Sequence, residues 1–233
     1  MILNIIIPVF NQWVFTNQCL KDLLHLDKRH NIIIVNNGST DGTADKLKNS
    51  FDLKSQYTVI QNEKNIGYSK ANNLGFKLCK EDDNILFLNN DVRVLPSNLK
   101  DWTNSIFELC DKYENTIFSP NAGLLDDNYN FVYETENENA KWNYLSGWCL
   151  FSKYNTFKKL ANNLNQEGPF WEGTFAYFED TYMGFQAKKL GINMRIAKLN
   201  IKHIGRQTGK TMNLPVMYNS AREIFINELK NII

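Results

Sequence analysis

The sequence predicts an α/β fold built on a mixed, mainly parallel sheet with helices on both faces. Three observations carry that expectation. Short, β-branched apolar runs alternate with helix-period segments through the first half of the chain. Each run is apolar almost throughout, as a strand covered on both faces must be. Every polar cluster follows directly on a strand, and in open α/β sheets the carboxyl ends of the strands border the ligand crevice.

The first run, ILNIII over 2–7, is followed by PVFNQ and a helical segment at 14–26. NIIIVN ends in NNGSTDGT before a helix over 42–51. YTVIQN leads through NEKNIGYSKANN into a helix over 69–80, and NILFLN closes the alternation at NNDV. After a helix within LKDWTNSIFELCDKY the pattern changes. TIFSPNAGLL, NFVYET and WNYLSGWCLFSK are shorter and rich in aromatics, and read as mixed or antiparallel strands that finish the sheet and build a second wall of the crevice. A polar loop is expected over 162–168, then a helix in EDTYMGFQAKKLG stopped by Gly191 and one strand over NMRIAKLNIKHI. From about Met217 an amphipathic helix presents Ala221, Ile224, Phe225 and Leu229 on its apolar face. A single domain of 233 residues accommodates these elements, divided at about 95 and 205 into two halves and a tail (206–233).

Charge excludes one class of partner. With 26 basic and 25 acidic residues the net charge is +1, which gives no support to nucleic-acid binding. Cys19, Cys79, Cys110 and Cys149 are widely spaced among apolar neighbours, so buried thiols in a reducing compartment are expected rather than metal ligation. ILNIIIPVF follows no basic segment and is too short for a signal peptide or a membrane span, so a cytoplasmic location with at most peripheral membrane contact is expected.

Several stretches carry chemistry. In VNNGSTDGT, Gly38 can take a positive φ, Ser39, Thr40 or Asp41 can cap the helix starting near Thr43, and Asn36 or Asn37 can meet a nucleobase edge; the plainer alternative is a capped turn. Gly67 precedes a helix whose first turns carry Lys70 and Asn72, a lip for a ribose or diphosphate or else an ordinary loop. The run ILFL stops at Asn89, Asn90 and Asp91, whose oxygens need partners at the end of a buried strand. A hard cation supplies one answer, with Asp91 as ligand and Asn89 on the same side if strand geometry persists; a polar turn supplies another. Glu179 and Asp180 at a helix start favour the helix dipole or serve as acids and bases. His203 ends an apolar strand, as a structural histidine or a ligand. Trp142, Trp148, Trp171, Tyr177 and Phe178 suit the core, although around a crevice a ring such as Trp171 can stack on a sugar.

Taken in order, NIIIPVFNQ, VNNGSTDGT, NIGYSKANNLGF, LFLNNDV, YLSGWCLFSK, FAYFEDTYMGFQAKKLG and HIG resemble the family 2 inverting glycosyltransferases of the GT-A fold. The resemblance is to their rhamnosyltransferase-like branch, of surface-polysaccharide synthesis, and covers about the first 205 residues. It implies that 1–95 holds a nucleotide-sugar donor (a UDP-, dTDP- or GDP-sugar) through Pro8, Phe10, Asn36, Asn37, Ser39, Asn65, Gly67, Lys70, Asn72, Asn89 and Asn90. It implies Mn²⁺ or Mg²⁺ at Asp91 with His203 nearby, and Asp180 of the Glu179-Asp180 pair as the base. The half 96–205, including Gly147, would face a saccharide or lipid-linked acceptor. Asn36-Asn37 stand where the family usually has at least one aspartate, and Asn89 replaces the first aspartate of its DxD motif. Two other readings remain open: a catalytically silent sugar-nucleotide or glycan-binding module, and a sugar-1-phosphate nucleotidyltransferase, which PVFNQW disfavours because it lacks a glycine-rich, basic phosphate loop.

Overall fold

The computed structural model describes residues 1–24, 26, 29–49, 57–94, 102–205 and 214–230. Its first strands are β1 (Leu3–Val9), β2 (His30–Asn37), β3 (Tyr57–Asn62) and β4 (Asn84–Leu88), joined by α1 (Trp13–Leu23), α2 (Thr43–Asn49) and α3 (Tyr68–Phe76). β5 (Val92–Val94) and α4 (Trp102–Lys112) lead to β6 (Thr116–Ser119), β7 (Ala122–Leu125), β8 (Phe131–Thr135), β9 (Tyr144–Leu145) and β10 (Cys149–Lys153). Then come α5 (Tyr154–Asn163), α6 (Glu179–Lys189), β11 (Asn193–Ile196), β12 (Ile201–His203) and α7 (Leu214–Leu229).

Seven strands form the central sheet in the order β11-β6-β10-β4-β1-β2-β3. β1 pairs in parallel with β2 and β4, as do β2 with β3 and β11 with β6, whereas β10 runs antiparallel to β4 and β6. This is the mixed, mainly parallel sheet that the apolar runs predict. Successive side chains of a strand point to opposite faces, and both faces are covered here. Leu3, Ile5, Ile7 and Val9 of β1 meet Leu20 and Leu23 of α1, Leu47 of α2 and Ile106 of α4. On the other face, Ile6 joins Ile33 and Val35 under Phe76 of α3, Phe157 of α5 and Met183 of α6.

Departures from the sequence reading come where tertiary pairing outranks local pattern. TIFSPNAGLL is two strands: β6 joins the central sheet and β7 lies in a separate three-stranded sheet of order β8-β7-β9, the break falling at Pro120, which has no N–H to give a ladder. NMRIAKLNIKHI also divides, β11 pairing with β6 and β12 running antiparallel to β5. Helix α5 was not expected; it buries Thr156, Phe157, Leu160 and Ala161 at helical spacing ahead of the polar loop. The tail helix α7 packs on the domain through Ala221, Phe225 and Leu229, against Phe178 and Tyr182. Ile224 is 43% exposed rather than packed, because adjacent helical residues diverge by about 100°. The ends of the helices expected over 42–51 and in LKDWTNSIFELCDKY, and the tail at 206–213 and 231–233, lie partly or wholly outside the described residues.

All four cysteines are buried and free. Burial pushes the thiols of Cys19, Cys79 and Cys110 up to about 12, which suits packing rather than nucleophilic chemistry. No helix among the described residues is long and apolar enough to cross a membrane.

Candidate active site

The strand ends converge on one cavity of about 400 Å³. Pro8, Val9 and Phe10 follow β1, Asn37 ends β2, Asn65, Gly67 and Tyr68 lie between β3 and α3, and Asn89, Asn90 and Asp91 follow β4. The second half of the chain supplies Glu134, Tyr144, Ser146, Gly147, Trp148, Phe175, Tyr177, Glu179, Asp180, His203 and Met217 among other lining residues.

The loops after β1, β2 and β3 are tied together by asparagine. A primary amide has two N–H donors and an oxygen with two lone pairs, and Asn37 uses all four. Its nitrogen donates to Asn65 Oδ1 (2.8 Å) and the Gly67 carbonyl (3.1 Å), and its oxygen accepts from Asn62 Nδ2 (3.1 Å) and the Ile66 N–H (3.1 Å). Asn36 is fully buried, donating to Gln61 Oε1 and accepting from the Ser39 N–H and hydroxyl. Ser39 Oγ in turn accepts the Asn11 N–H, and Asp41 accepts from Gln12 N–H and from Thr43 at the start of α2. Two glycines permit this lacing. A Cβ on Gly38 (φ +71°) would lie 2.5 Å from Lys64 backbone, and one on Gly67 (φ +92°) would lie 2.6 Å from the Phe175 carbonyl.

The polar residues after β4 each find a different environment. The strand stops at Leu88, so the condition under which period two sets Asn89 and Asp91 on one side is not met. Asn89 Oδ1 lies 3.1 Å from the Tyr68 hydroxyl, and Asn90 donates to Thr16 Oγ1 (2.8 Å) inside the core. Antiparallel pairing sets His203 opposite Val92, beside Asp91, and Ile204 N–H donates to the Asp91 carbonyl. His203 Nε2 then lies 3.1 Å from Asp91 Oδ1. That contact is close enough for an ion pair but misaligned for a hydrogen bond, since both atoms are buried without a hydrogen-bond partner. Trp148 stacks on the imidazole (centroids 4.8 Å, 12°) and fixes its plane. Two orphaned, buried ligand atoms of the types that hold Mn²⁺ or Mg²⁺ fit a divalent cation. Among the described residues no third His, Cys, Asp or Glu completes a cluster, so any cation held here would need substrate oxygens or water to fill its other positions.

The carboxyl pair sits at the start of α6, after consecutive left-handed residues Tyr177 (φ +70°) and Phe178 (φ +66°). Asp180 Oδ2 accepts the Gly147 N–H (2.9 Å) and Oδ1 accepts the Thr181 N–H (2.7 Å). Glu179 Oε2 is buried and unpartnered. Burial raises both carboxyls above the usual range; the neighbouring Asp180 charge raises Glu179 further, while the two N–H donors hold Asp180 back. Both side chains keep partial access to the cavity, which tempers the effect of enclosure by protein. Tyr68 links this end to the strand ends, its hydroxyl lying 2.8 Å from the Gly147 carbonyl and 3.1 Å from Asn89.

The sequence model of glycosyl transferase family 2 matches residues 4–183. The chain belongs to that family. The matched segment contains Asp91, Glu179 and Asp180; His203 and α7 lie beyond it. Solved structures with the same fold include GalNAc-T7 with UDP, GalNAc and Mn²⁺ (14% identity, TM-score 0.70, 89% of this chain and 44% of that one). S. aureus TarS 1-349 in complex with UDP-GlcNAc shares 19% identity at TM-score 0.61, over 91% of this chain and 62% of that one. The mannosyltransferase PcManGT from Pyrobaculum calidifontis, with GDP-Man and Mn²⁺, shares 14% at TM-score 0.58, over 84% and 54%. The family 2 chain described here thus spans about half of the structures it matches. No curated protein sequence matches it.

Of the residues singled out in the family 2 sequence, Pro8, Phe10, Asn37, Asn65, Gly67, Asn89, Asn90, Asp91, Glu179, Asp180 and His203 line the cavity. Asn36, Ser39, Lys70 and Asn72 do not. Asn36 and Ser39 are spent on bracing loops, Lys70 is exposed elsewhere on α3, and Asn72 is fully buried with its amide on the Tyr68 carbonyl. Trp171 also lies off the cavity, stacked on Tyr182 at 4.3 Å. Tyr68, Glu134, Ser146 and Phe175 were missed. Tyr68 directly follows Gly67, which was a usable signal, but Glu134 and Ser146 meet only through the pairing of β7 with β8 and β9.

Proposed function

We propose that this family 2 chain is a metal-dependent, inverting glycosyltransferase that moves a sugar from a nucleoside-diphosphate donor to a hydroxyl of a saccharide or lipid-linked acceptor. The observation that carries this reading is the charge of the cavity. Among the described residues its lining holds Asp91, Glu134, Glu179, Asp180 and His203 but no Lys or Arg. A diphosphate enters such a site only with a cation, and Asp91 Oδ1 with His203 Nε2 is where one fits. The Mn²⁺ bound in GalNAc-T7 and PcManGT, and the nucleotides bound in those proteins and TarS, support the same reading.

The chain's own residues divide the work. Asp91 and His203 would hold the cation, whose chemistry would be to neutralise charge developing on the departing diphosphate. Phe10, Asn65 and Gly67 border the donor, on loops that the Asn37 network makes rigid before any ligand arrives. Glycosyl transfer passes through an oxocarbenium-like transition state, in which the bond from the anomeric carbon to diphosphate breaks as the bond to the acceptor oxygen forms. The acceptor proton must leave in that step, and Asp180 takes it: its carboxylate faces the cavity and is oriented by two backbone N–H groups. Glu179 has no such donors on its Oε2, so Asp180 is the carboxylate whose orientation is set for the transfer.

A panel of UDP-, dTDP- and GDP-sugars, each with Mn²⁺, Mg²⁺ or EDTA, tests the proposal. Metal-dependent release of nucleoside diphosphate, with inversion at the transferred sugar, is expected. Release of pyrophosphate from sugar 1-phosphate and nucleoside triphosphate would identify a nucleotidyltransferase instead. Metal-dependent binding without turnover of any donor would leave a binding module.

A further inference from the structure

The geometry points to an acceptor subsite for an uncharged sugar residue on the cavity wall made by Phe131, Glu134, Ser146, Phe175 and Tyr177, with Glu134 accepting its hydroxyls. This rests on the glycosyltransferase reading and specifies the substrate class at the same site.

Aromatic side chains this exposed at a cavity need a reason. Phe131 is 50% exposed and Phe175 46%, yet both border the cavity rather than lying singly on the outer surface. Neither sits on loosely held backbone. The Phe131 N–H meets the Tyr218 hydroxyl of α7 (3.3 Å), and the Phe175 carbonyl accepts the Tyr68 N–H (3.1 Å) against Gly67. Tyr177 is held in a left-handed conformation, its carbonyl accepting from Thr174 Oγ1 (2.8 Å), and its ring meets Tyr218 edge-on at 5.7 Å. The backbone that carries Phe131 and Phe175 is therefore held before binding, and the Tyr177 ring is braced by Tyr218, so an apolar surface meets aromatic faces on a wall that is already built. The axial C–H face of a pyranose is such a surface.

The polar part of the wall fits the hydroxyl edge of the same ring. Glu134 is exposed on β8, and one oxygen accepts the Ser146 hydroxyl at 2.5 Å, which aims the carboxylate while leaving its other oxygen available. Ser146 is itself anchored, its carbonyl accepting from Ser119 Oγ (3.0 Å). Tyr133, the neighbour of Glu134, fixes the strand's far side through its hydroxyl on the Lys141 carbonyl (2.6 Å). A carboxylate beside aromatic faces accepts hydroxyl hydrogens strongly and repels anions. Glu134 shares the cavity with the Asp180 carboxylate, and among the described residues the lining holds no Lys or Arg to offset them. A uronic acid, a sialic acid or a sugar phosphate would therefore bring a second negative charge to an acidic wall. A neutral ring satisfies both the stacking and the hydroxyl-accepting parts.

Saturation-transfer NMR on the whole protein, with UDP, GDP or dTDP and Mg²⁺ present, tests this with two sets of probes. The neutral set is the methyl glycosides of glucose, galactose, rhamnose and N-acetylglucosamine; the anionic set is glucuronate, N-acetylneuraminate and glucose 6-phosphate. At least one neutral probe is expected to receive saturation at its ring C–H protons. Phe131→Ala and Glu134→Gln should each weaken that binding about tenfold, which corresponds to about 1.4 kcal/mol. Cation-dependent nucleotide binding, read calorimetrically, should be unchanged in both variants. Preference for the anionic set, absence of binding by every neutral probe, or neutral binding indifferent to both substitutions would overturn the subsite. Loss of nucleotide binding by the unsubstituted protein would instead strike at the glycosyltransferase reading, so the two failures are distinguishable.

Discussion

Replacing Asp180 with asparagine separates chemistry from architecture. The carboxylate supplies two acceptors, Oδ1 to Thr181 N–H at 2.7 Å and Oδ2 to Gly147 N–H at 2.9 Å. An amide supplies one, so either rotamer of Asp180→Asn turns an N–H₂ toward a backbone N–H. An enclosed donor left without an acceptor costs ~1–3 kcal/mol, and in a domain of this size that lowers Tm by roughly 2–12 °C. Loss of the base should cut transfer ~10²- to 10⁴-fold, which is about 2.7–5.4 kcal/mol of transition-state stabilisation. The catalytic loss exceeds the structural one and should appear in kcat, with calorimetric donor affinity preserved. pH gives a second signature. Burial raises the Asp180 carboxyl, so wild-type kcat should fall as pH drops through that raised value, and the variant should lack this limb. Stability runs the other way: a raised carboxyl favours the folded state below the ordinary carboxylate range, and that contribution fades as pH rises through the raised value. The variant's deficit in Tm should therefore narrow toward alkaline pH. Turnover within about threefold of wild type at saturating donor and acceptor, with the acid limb intact, would refute the assignment of Asp180 as base.

Three further outcomes are expected. With Mn²⁺ and a nucleotide at one hundred times its dissociation constant, the protein should gain about 2.7 kcal/mol, read as a thermal shift; Asp91→Ala should abolish the cation-dependent part, and equal shifts in EDTA would sink the metal assignment. Tyr68→Phe removes the hydroxyl between Asn89 and Gly147, whose N–H orients Asp180, so kcat should fall by roughly 2- to 13-fold, the equivalent of one ordinary hydrogen bond, while KM for donor holds; a change confined to KM would contradict this. Ending the chain before Tyr218 exposes the partners of Phe225 and Leu229, each less than 3% exposed, and should cost roughly 3–6 kcal/mol in urea unfolding; intact stability with lost sedimentation on lipid vesicles would show that α7 serves a membrane instead.

The first half of the fold was legible because its signals are local. In β1, β2 and β4 an apolar run covered on both faces announces itself, and polar residues after each run border the cavity. Asp91, Glu179 and Asp180 stood out for the same reason, as carboxylates at element ends. The reading failed where a residue's role depends on what faces it. Asn36 and Asn37 look alike in sequence, yet one is sealed by Gln61 and Ser39 and the other reaches the cavity with its bonding capacity already used. Trp171 and Phe175 are both aromatic and four residues apart in one loop, and only the fold decides that the first stacks on Tyr182 while the second opens onto the cavity. Helix α5 was hidden because it follows β10 without a break, and Lys153, the last residue of the strand and the residue before the helix, offers no side-chain cap.

The antiparallel pairing of β10 with β4 bears on how the protein survives its own synthesis and refolding. β4 is the middle strand of the sheet, with Ile85, Leu86, Phe87 and Leu88 all at 0% exposure, and one of its two neighbours arrives only when Cys149 pairs with Leu88 and Lys153 with Asn84. Until then the strand offers a bare hydrophobic edge, a ready template for a second chain. A fragment ending near Val94 would keep the first strand ends and still be expected to aggregate; closing the β4 edge needs the residues through Lys153, and covering the sheet face needs Phe157 of α5 and Met183 of α6 as well. Cutting the chain in two near Val94 would thus fail at the sheet, before any question of activity arose.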